Sequence, residues 1–538
     1  MEKTQVVVIG GGATGTGILR DLAMRGISAI LVEQHDLAYG TSSRFHGLMH
    51  SGARYAVNDL ESAKECISEN NILRKIASNC LEDTGGFFVQ LSQDDPEYVD
   101  DWLKGCQKAG IPVREVPKLE AMKLEPNLSP EVIRVFAVPD AAIDGFRLVW
   151  SNVESAEMYG GQFYTYTRVD RIIVTNSKVT GVKVTDLNTK QTRVIHCDYV
   201  INSAGAWAGE IASLAGVNAK TVANKGTLVV FSHRINNRVI NRLRYPQDGD
   251  IMVPHGTVSI FGTTSQEVDG PEHINSTESE VDGLLNACEE IFPHAGRFRI
   301  LRSFSGVRPL FAEQKTTENS RKLTRGFTIM DHKENGVNGF VSIVGGKLTT
   351  YRLMAEKTTD LICYKLGINT PCRTSEENLV KKPTSSQFSQ LEHLLEKPAC
   401  YKAVERLGVK VENMIAILED SPWKKQLVCE CEQVTLAEVE LRLSERENAT
   451  LNDLRRKTRI GMGPCQGTFC AFRIIGHLYD EGQLTLTQVE FLLTDFFEER
   501  WKGIRSVIWG EQLRQAELMR NYYFNLLNIC EGDFNYEC

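Results

Sequence analysis

The chain has 538 residues, too many for one hydrophobic core, and its length predicts about three or four folding units. Hydrophobic residues make up 42% of it and charged residues 24%, which is typical of a globular protein and excludes a disordered or fibrous one. The net charge of -8 argues against a broad surface for nucleic acid.

The N-terminus has the pattern of a βαβ unit that binds a dinucleotide. A strand, "VVVI", leads into a glycine turn and a helix that continues to about Arg25, and a second strand ends in Glu33. Gly10, Gly12 and Gly15 have G-x-G-x-x-G spacing, which permits a tight turn, close approach of pyrophosphate and helix-on-strand packing. Glu33 follows where an acid that binds ribose belongs.

Two later glycine turns favour FAD over a nicotinamide cofactor. "NSAGAWAGEI" around Gly205 and "VGGKLTTYRLMAEK" around Gly345 each place small residues between a strand and a helix. The second predicts a helix N-terminus directed at the flavin pyrimidine, where negative charge accumulates on reduction. Strands near Val200 and Val341 should extend the first sheet.

The rest of the chain divides by composition. Alternating segments within residues 221–328 predict an antiparallel substrate sheet, and the FAD-binding segments are expected at about 1–85, 140–220 and 329–370. Residues 371–424 are read as a linker and helices, 425–480 as a four-cysteine domain and 481–538 as a helical tail. No apolar run approaches the roughly 20 residues of a membrane span, and the N-terminus enters a strand too early for a signal peptide, so we expect a cytoplasmic protein.

Four of the 14 cysteines look like metal ligands. Cys429 and Cys431 form a C-x-C pair, and Cys465 and Cys470 form a C-x4-C pair shortly after it. Four thiolates can hold zinc or an iron–sulfur cluster. The one-residue spacer is tighter than the usual spacers of structural zinc sites, which favours iron–sulfur.

Three cations stand in glycine-punctuated segments, where functional residues tend to lie. They are Arg54, Arg308 and Lys347, and Tyr55 adds a hydroxyl beside the first. Any one of them alone is more often half of an ordinary surface ion pair. Together they suit a phosphate dianion.

"TSSRFHGLMHSGARYAV", "SGVRPL" and "GGKLTTYRLMAEK" resemble the respiratory FAD-dependent glycerol-3-phosphate dehydrogenases, and with the cysteine unit the chain resembles the catalytic A subunits of their anaerobic members. The resemblance implies an α/β fold: a glutathione-reductase-like FAD-binding Rossmann domain with an antiparallel β substrate domain, similar to amino-acid oxidases. It also implies oxidation of sn-glycerol 3-phosphate to dihydroxyacetone phosphate by hydride transfer to flavin N5.

The resemblance assigns the residues of the site. His50 is the candidate base, with His46 as a weaker substitute, while Lys347 could serve substrate or flavin. The aerobic relatives have two glycines after this histidine, whereas Ser51 precedes Gly52 here. The substrate residues are His50, Arg54, Tyr55, Arg308 and Lys347. The FAD contacts are Gly10, Gly12, Gly15, Glu33, Thr41, Ser42, Ser43, Gly205, Gly345, Gly346, Leu348 and Thr349.

The cysteine unit resembles the bacterioferritin-associated ferredoxin-like domain, in which four cysteines bind a [2Fe-2S] cluster. The family arrangement implies that electrons pass through two further subunits, flavoprotein B and iron–sulfur protein C, to a membrane quinone in anaerobic respiration, with FMN a further cofactor of such a complex. The chain would then be peripheral at the cytoplasmic face of the inner membrane. Aromatic residues of the tail either dock such a partner or pack onto their own domain: Trp501, Trp509, Tyr522, Tyr523 and Phe524.

Two other functions stay open at this point. A 2-hydroxy-acid or amino-acid oxidase of the same fold would use an arginine to bind a carboxylate. A protein that senses or stores iron would keep the cysteine unit and lose the flavin chemistry.

Overall fold

The computed structural model describes residues 2–219, 221–272, 274–311, 326–445 and 449–522. The strands, in chain order, are β1 Glu2–Lys3, β2 Val6–Ile9, β3 Ala29–Val32, β4 Leu48–Met49, β5 Leu81–Glu82, β6 Gly86–Leu91, β7 Arg114–Val116, β8 Val132–Val138, β9 Ala141–Ile143, β10 Gln162–Tyr164, β11 Thr167–Thr175, β12 Lys178–Asp186, β13 Thr192–His196, β14 Tyr199–Asn202, β15 Thr221–Phe231, β16 Val239–Arg242, β17 Ile251–His255, β18 Val258–Gly262, β19 Gln266–Glu267, β20 Ile300–Phe311, β21 Phe327–Asp331, β22 Phe340–Gly345, β23 Leu427–Cys429 and β24 Val434–Thr435.

The α-helices, in chain order, are α1 Ala13–Met24, α2 Leu60–Ile76, α3 Pro96–Ala109, α4 Lys118–Leu124, α5 Gly145–Glu157, α6 Ala208–Ser213, α7 Glu278–Ile291, α8 Tyr351–Leu366, α9 Ser385–Leu394, α10 Lys397–Leu407, α11 Val411–Asp420, α12 Leu436–Ser444, α13 Leu451–Thr458, α14 Cys470–Asp480, α15 Leu486–Ile504 and α16 Gly510–Arg520.

A six-stranded sheet forms the centre of the first domain, in the order β10-β3-β2-β14-β22-β21. Its strands pair in parallel except at the β22–β21 edge. Helices α1, α5 and α8 pack together over one face, and the antiparallel sheet of β11, β12 and β13 shares a core with the other face. Strands covered on both faces are uniformly apolar, as "VVVI" is in β2. The predicted α/β class is confirmed.

A second sheet has the order β19-β15-β18-β17-β16-β6-β8-β7, and β20 pairs with β15. Most of its pairings are antiparallel, but β16 runs parallel to β6. This sheet therefore also contains β6, β7 and β8, which come earlier in the chain than β14. The substrate sheet had been predicted mainly within residues 221–328. Strand β16 comes more than 100 residues after β6 in the chain, so no local pattern indicates the pairing.

The stretch after α8 packs closely on the first domain. Leu379 is 2% exposed within the core under α1 and α8. The Arg20 side chain donates hydrogen bonds to the backbone oxygens of Thr374 (3.3 Å) and Glu377 (2.8 Å). The beginning of the predicted linker is thus fastened to α1, and the helical cluster α9 to α12 follows it.

The four-cysteine unit has its own small core, formed by β23, β24 and α12 to α15. Phe496 of α15 is fully buried in it. Over the described ranges, the structure contains no helix with both the length and the apolar character needed to cross a membrane.

Candidate active site

One large cavity opens where β2, β14 and β22 end. Its volume is about 1370 Å³. This exceeds the roughly 300–1,000 Å³ that is typical for a single drug-sized ligand, so the cavity has room for an extended cofactor beside a small substrate. Its lining joins the N-terminal glycine turn to the predicted substrate residues.

The glycine turn brings α1 unusually close to β2. A Cβ on Gly15 would lie 1.9 Å from the backbone oxygen of Gly10, so only glycine permits this contact. Gly10 has φ +110°, a backbone conformation that L side chains rarely adopt. Gly12 has no side chain to cap α1, and Gly12, Ala13 and Thr14 at the positive end of this helix line the cavity.

Glu33 follows β3 directly, beside this turn. Its carboxylate accepts hydrogen bonds from the backbone N–H groups of Gly11 (2.7 Å) and His35 (2.8 Å). Burial raises the pKa of the Glu33 carboxyl, while these two N–H groups act in the opposite direction. Glu33 lines the cavity at the position expected for an acid that binds a ribose hydroxyl.

The remaining predicted FAD residues converge on the same cavity with two exceptions. Gly205 begins the 3-10 turn after β14, and Gly345 and Gly346 lie where β22 ends. Two predicted contacts, Gly15 and Ser43, are not part of the lining. Gly15 acts instead through helix packing, and the Ser43 hydroxyl donates to the backbone oxygen of Gly40 (3.2 Å). The cavity-lining members of the set are Gly10, Gly12, Glu33, Thr41, Ser42, Gly205, Gly345, Gly346, Leu348 and Thr349.

These residues fit a flavin dinucleotide. The N-terminus of α1 suits the pyrophosphate, Glu33 suits the ribose, and the cavity continues to the turn before α8. Ser42 links two of these parts, because its hydroxyl accepts a hydrogen bond from the Ala13 N–H (2.9 Å) at the start of α1.

The predicted substrate residues line one end of the cavity, which is called the substrate end. Arg308 extends into it from β20. Its guanidinium donates to the Asn224 side-chain oxygen (2.6 Å), to the backbone oxygen of Thr264 (3.2 Å) and to the hydroxyl of Thr263. These three partners are neutral and hold the guanidinium in place. Asn224 is fully buried in β15, the strand paired with β20.

Arg54 is held by a carboxylate that sequence reasoning missed. Its Nη2 lies 2.7 Å from Asp250 Oδ2, and Arg244 lies 2.9 Å from the other oxygen of the same carboxylate. Asp250 is completely buried. Two guanidiniums thus share one carboxylate. The contact joins residues almost 200 positions apart, so no spacing in the sequence predicts it.

Lys347, Tyr55 and His50 form the third side of the substrate end. The Lys347 Nζ donates to the Ser62 hydroxyl (3.0 Å) and lies 5.0 Å from the centre of the Tyr55 ring. The His50 ring lies 5.4 Å from that of Tyr55, and its backbone N–H donates to the Thr349 hydroxyl (3.1 Å). The structure therefore places Thr349, a predicted flavin residue, in contact with the predicted base.

The loop after His50 accommodates Ser51, the residue that stands where the aerobic relatives have the first of two glycines. The Ser51 N–H donates to Asp140 Oδ1 (2.6 Å), and Ser51 is completely buried. Gly52 has φ +94°, and a Cβ there would lie 2.4 Å from the Ala63 backbone oxygen. Glycine is thus required at position 52, whereas the backbone at position 51 accepts serine.

His46 also lines the cavity, with its ring 5.7 Å from that of His50. Burial, reinforced by the positive charges of Arg308 and Arg54, lowers the pKa of His46 to about 3. Its Nδ1 accepts a hydrogen bond from the Leu48 N–H (3.1 Å), so the proton of the neutral ring resides on Nε2. His46 is therefore a neutral hydrogen-bond donor at neutral pH.

The four predicted cysteine ligands meet in the C-terminal unit. Cys431 and Cys465 have their sulfurs 3.8 Å apart, and Cys429 and Cys470 complete a ring of hydrogen-bonded thiols. Donation by Cys431 and Cys470 lowers the pKa of the Cys429 and Cys465 thiols. Among the described residues, no group of three or more His, Cys, Asp or Glu side chains is arranged as a ready metal site. Two sulfurs bound at about 2.3 Å to one tetrahedral ion would lie about 3.8 Å apart, so the observed spacing is compatible with a metal.

Glycines make the close approach of the cysteine segments feasible. A Cβ on Gly463 would lie 2.3 Å from the Cys431 Cβ, and Cβ atoms on Gly461 and Gly467 would meet the Phe496 ring at 2.6 and 2.4 Å. Backbone N–H groups, including that of Gly467, donate to Cys465 and stabilise a thiolate there.

The cysteine unit is bound to the first domain by buried ion pairs. Arg456 lies 3.2 Å from Asp36, shortly after β3, and Arg459 lies 2.9 Å from Asp144, next to α5. The Tyr166 hydroxyl also donates to Asp453 (2.6 Å). These contacts place the cysteine loop beside the dinucleotide-binding half of the chain.

Comparisons with known proteins agree with this geometry. The family of FAD dependent oxidoreductases matches residues 5–352. The A subunit of anaerobic glycerol-3-phosphate dehydrogenase from Escherichia coli K12 is 42% identical over 98% of this chain and 97% of its own length, and the A1 subunit of the Haloferax volcanii enzyme is 42% identical over 98% and 91%. The structure of glycerol-3-phosphate dehydrogenase from Bacillus halodurans, complexed with FAD, has a TM-score of 0.70 and 21% identity, covering 93% of this chain and 95% of its own.

The fold and the cavity define an α/β flavoprotein with a second, largely antiparallel sheet beside the domain that contains the glycine turn. The chain belongs to the FAD dependent oxidoreductase family.

Replacement of Gly15 by alanine tests the glycine turn. The new Cβ would lie 1.9 Å from the Gly10 oxygen, so α1 must move away from β2 and the FAD dissociation constant should rise more than about tenfold. Flavin absorbance per chain after gel filtration measures this. Gly283→Ala is the control, because nothing lies within 4 Å of its new Cβ in α7 and flavin content should not change. Equal flavin content in the two variants would contradict the assigned role of Gly15.

The pKa of His46 predicts a pH dependence of stability. The folded pKa of about 3 lies below the unfolded value of about 6.5, so the contribution of His46 is complete above pH 6.5 and is lost as the pH falls toward 3. Between about pH 7 and pH 5 the free energy of unfolding of the wild type should fall by about 1 to 2 kcal/mol more than that of His46→Gln. Urea unfolding at both pH values measures this, with exposed His294→Gln as control. A His46→Gln slope equal to the wild-type slope would show that His46 titrates normally.

Proposed function

We propose that the chain oxidises sn-glycerol 3-phosphate to dihydroxyacetone phosphate with FAD as electron acceptor. The observation that carries this is one cavity that joins the glycine turn of a dinucleotide site to Arg54, Arg308 and Lys347. The two anaerobic relatives, similar over nearly the whole chain, bear the name of this dehydrogenase.

The cations suit a phosphate better than a carboxylate. Neutral groups hold Arg308, Arg54 and Arg244 share one carboxylate, and Lys347 approaches from the turn before α8. A 2-hydroxy acid or an amino acid presents one negative charge to such a site, which a single arginine would satisfy. The grouping of four cationic side chains at one end of the cavity favours a dianion and argues against the oxidase alternative.

FAD, when bound, accepts the hydride that leaves C2 of the substrate with its electron pair. The C2 hydroxyl must then lose its proton as the carbonyl forms. His50 is the group proposed to take this proton. His46 suits the role less well, because its Nδ1 is occupied by the Leu48 N–H and its other nitrogen carries the proton. His46 is instead proposed to donate a hydrogen bond from Nε2 to a group bound in the cavity.

Cys429, Cys431, Cys465 and Cys470 are the proposed ligands of a [2Fe-2S] cluster. Their thiols adjoin one another, hydrogen bonds within the group favour thiolates at two of them, and backbone N–H groups surround Cys465. A cluster in this unit would pass electrons onward singly from the two-electron flavin. The buried ion pairs Arg456–Asp36 and Arg459–Asp144 hold the unit against the flavin-binding domain, as such a relay requires.

We propose that further subunits carry electrons from this chain to a membrane quinone in anaerobic respiration. The chain would then lie at the cytoplasmic face of the inner membrane. The relatives are named as subunits, which supports an arrangement with flavoprotein B and iron–sulfur C partners. Trp501, Trp509 and Tyr522 are 42%, 41% and 45% exposed on the tail, which supports docking there. Tyr523 and Phe524 lie outside the described residues. FMN would belong to such a complex.

Anaerobic addition of glycerol 3-phosphate should bleach the flavin absorbance of the purified chain. In His50→Ala the rate of bleaching should fall at least about 100-fold, because general-base catalysis typically contributes about 10²–10⁴-fold. Stopped-flow absorbance measures this, with exposed His294→Ala as the control. Near-normal bleaching in His50→Ala would remove its role as base. Bleaching by a 2-hydroxy acid or an amino acid, but not by glycerol 3-phosphate, would identify an oxidase.

Cys465→Ala should remove the cluster and spare the hydride step. We expect iron and acid-labile sulfide to fall from about two of each per chain to near zero, while glycerol 3-phosphate still bleaches the flavin. Elemental analysis and the electron paramagnetic resonance spectrum of the reduced protein measure this. The control is Cys288→Ala, a fully buried cysteine of α7 in the core of the second sheet. Stoichiometric zinc without iron in the wild type would overturn the cluster assignment.

A further inference from the structure

A second cavity, of about 390 Å³, separates the flavin cavity from the cysteine loop. Tyr39, Phe45 and Trp207 line both cavities and form the wall between them. On the opposite side the second cavity is lined by Met462 and Gln466, which flank Cys465. Nothing in the proposed oxidation of glycerol 3-phosphate uses this space.

The lining of this cavity is strongly positive. Three carboxylates stand against seven cationic side chains, which are Arg44, Arg302, Arg455, Arg456, Arg459, Arg500 and Lys502. Each carboxylate already has a partner: Asp144 pairs with Arg459 (2.9 Å), Glu499 pairs with Lys502 (2.6 Å), and Glu272 accepts from the Trp207 ring N–H. Arg456 pairs with Asp36 and Asp453.

Three of the arginines each have a buried N–H donor that makes no hydrogen bond to any described residue. The Nε atoms of Arg302, Arg455 and Arg500 are buried and have no hydrogen-bond partner among the described residues. Arg500 is only 3% exposed, and its guanidinium makes a long hydrogen bond to the Gly461 backbone oxygen (3.4 Å). Burial lowers the pKa of Arg302 to about 10 and lowers the pKa of the other two as well.

Buried guanidiniums without counter-charge are costly. An arginine cannot escape by losing its proton at neutral pH, and an isolated buried charge is destabilising unless it is paired and hydrogen-bonded. The three groups also repel one another, and Glu499, the carboxylate that acts on all three, is itself paired with Lys502. An anion in the cavity would offset the charge of the three guanidiniums and accept hydrogen bonds from their terminal N–H groups.

We propose that this cavity is a binding site for a phosphate-type oxyanion, held by Arg302, Arg455 and Arg500 with Arg44 at its edge. Planar guanidiniums match tetrahedral oxyanions through paired N–H donors, and phosphate supplies enough acceptor oxygens for three of them. The site differs from the substrate end of the flavin cavity, where Arg308 already donates to Asn224 and Thr264.

The anion would also bridge three segments that are distant from one another in the sequence. Arg302 belongs to β20 of the substrate sheet, Arg455 to α13 and Arg500 to α15 of the cysteine unit. Gly503 of α15 leaves room for the Arg302 guanidinium, since a Cβ there would lie 2.7 Å from Arg302 Nε. One bound oxyanion therefore ties the cysteine unit to the substrate sheet beside the flavin cavity.

Equilibrium dialysis of the full-length, FAD-loaded chain against radiolabelled inorganic phosphate in chloride buffer tests the proposal. We expect the wild-type chain to bind one phosphate in this cavity. Arg302→Gln and Arg500→Gln should bind it at least about tenfold more weakly, whereas Arg308→Gln should still bind it. Arg134→Gln is the matched control, because this arginine forms a surface pair with Glu115 (2.8 Å) and should leave phosphate binding unchanged. Unchanged phosphate affinity in Arg302→Gln and Arg500→Gln would overturn the proposal.

Arg302→Lys keeps the positive charge and removes the Nε donor, so it serves if the glutamine variants fold poorly. Phosphate should raise the unfolding midpoint of the Arg308→Gln chain but not that of a chain carrying Arg308→Gln and Arg302→Lys. An equal rise in both chains would overturn the site. Mass spectrometry of small molecules released from the freshly purified chain identifies the natural source, as inorganic phosphate or as a phosphate monoester other than FAD.

Discussion

Parallel pairing of β3, β2, β14 and β22 is the constraint on which the site depends. It places the carboxyl ends of these strands at one edge, and loops that leave from there meet although they are far apart in the chain. The close contact between Gly15 and Gly10 lets α1 pack on β2 and opens its N-terminus to the cavity. The second sheet then brings β20, with Arg308, to the other end of the same space.

Positive charge is handled differently in the two cavities. At the substrate end, neutral partners hold Arg308, and a buried carboxylate fixes Arg54 and Arg244. Those side chains are therefore preorganised for a dianion, with their donors partly engaged. Around the second cavity, Arg302, Arg455 and Arg500 have buried donors without a described partner. That difference separates the proposed substrate site, which must bind and release its ligand, from the proposed site of a resident anion.

Local patterns predicted which residues of the proposed cofactor site come together in the fold. Gly10, Gly12 and Glu33 occur within one βαβ unit, so their spacing directly reflects the turn and the two strands that position them. The structure places most of the other proposed flavin residues in the cavity lining, while Ser43 turns toward the Gly40 backbone instead. The pairs C-x-C and C-x4-C likewise pointed to one thiol group, because each pair is local and only their meeting needed the fold.

Chain-distant partners account for what the sequence did not predict. Asp250 and Asn224 fix the orientation of Arg54 and Arg308, and β6 joins β16 across more than 100 residues. None of these contacts has a fixed spacing, since each depends on which strands become neighbours in the folded sheet. Residue types and short-range spacing were thus sufficient for the dinucleotide turn and the cysteine pairs. Protonation of His46, the sharing of Asp250 by two arginines and the unpaired arginine donors among the described residues follow from burial and from distant neighbours, which exist only in the folded chain.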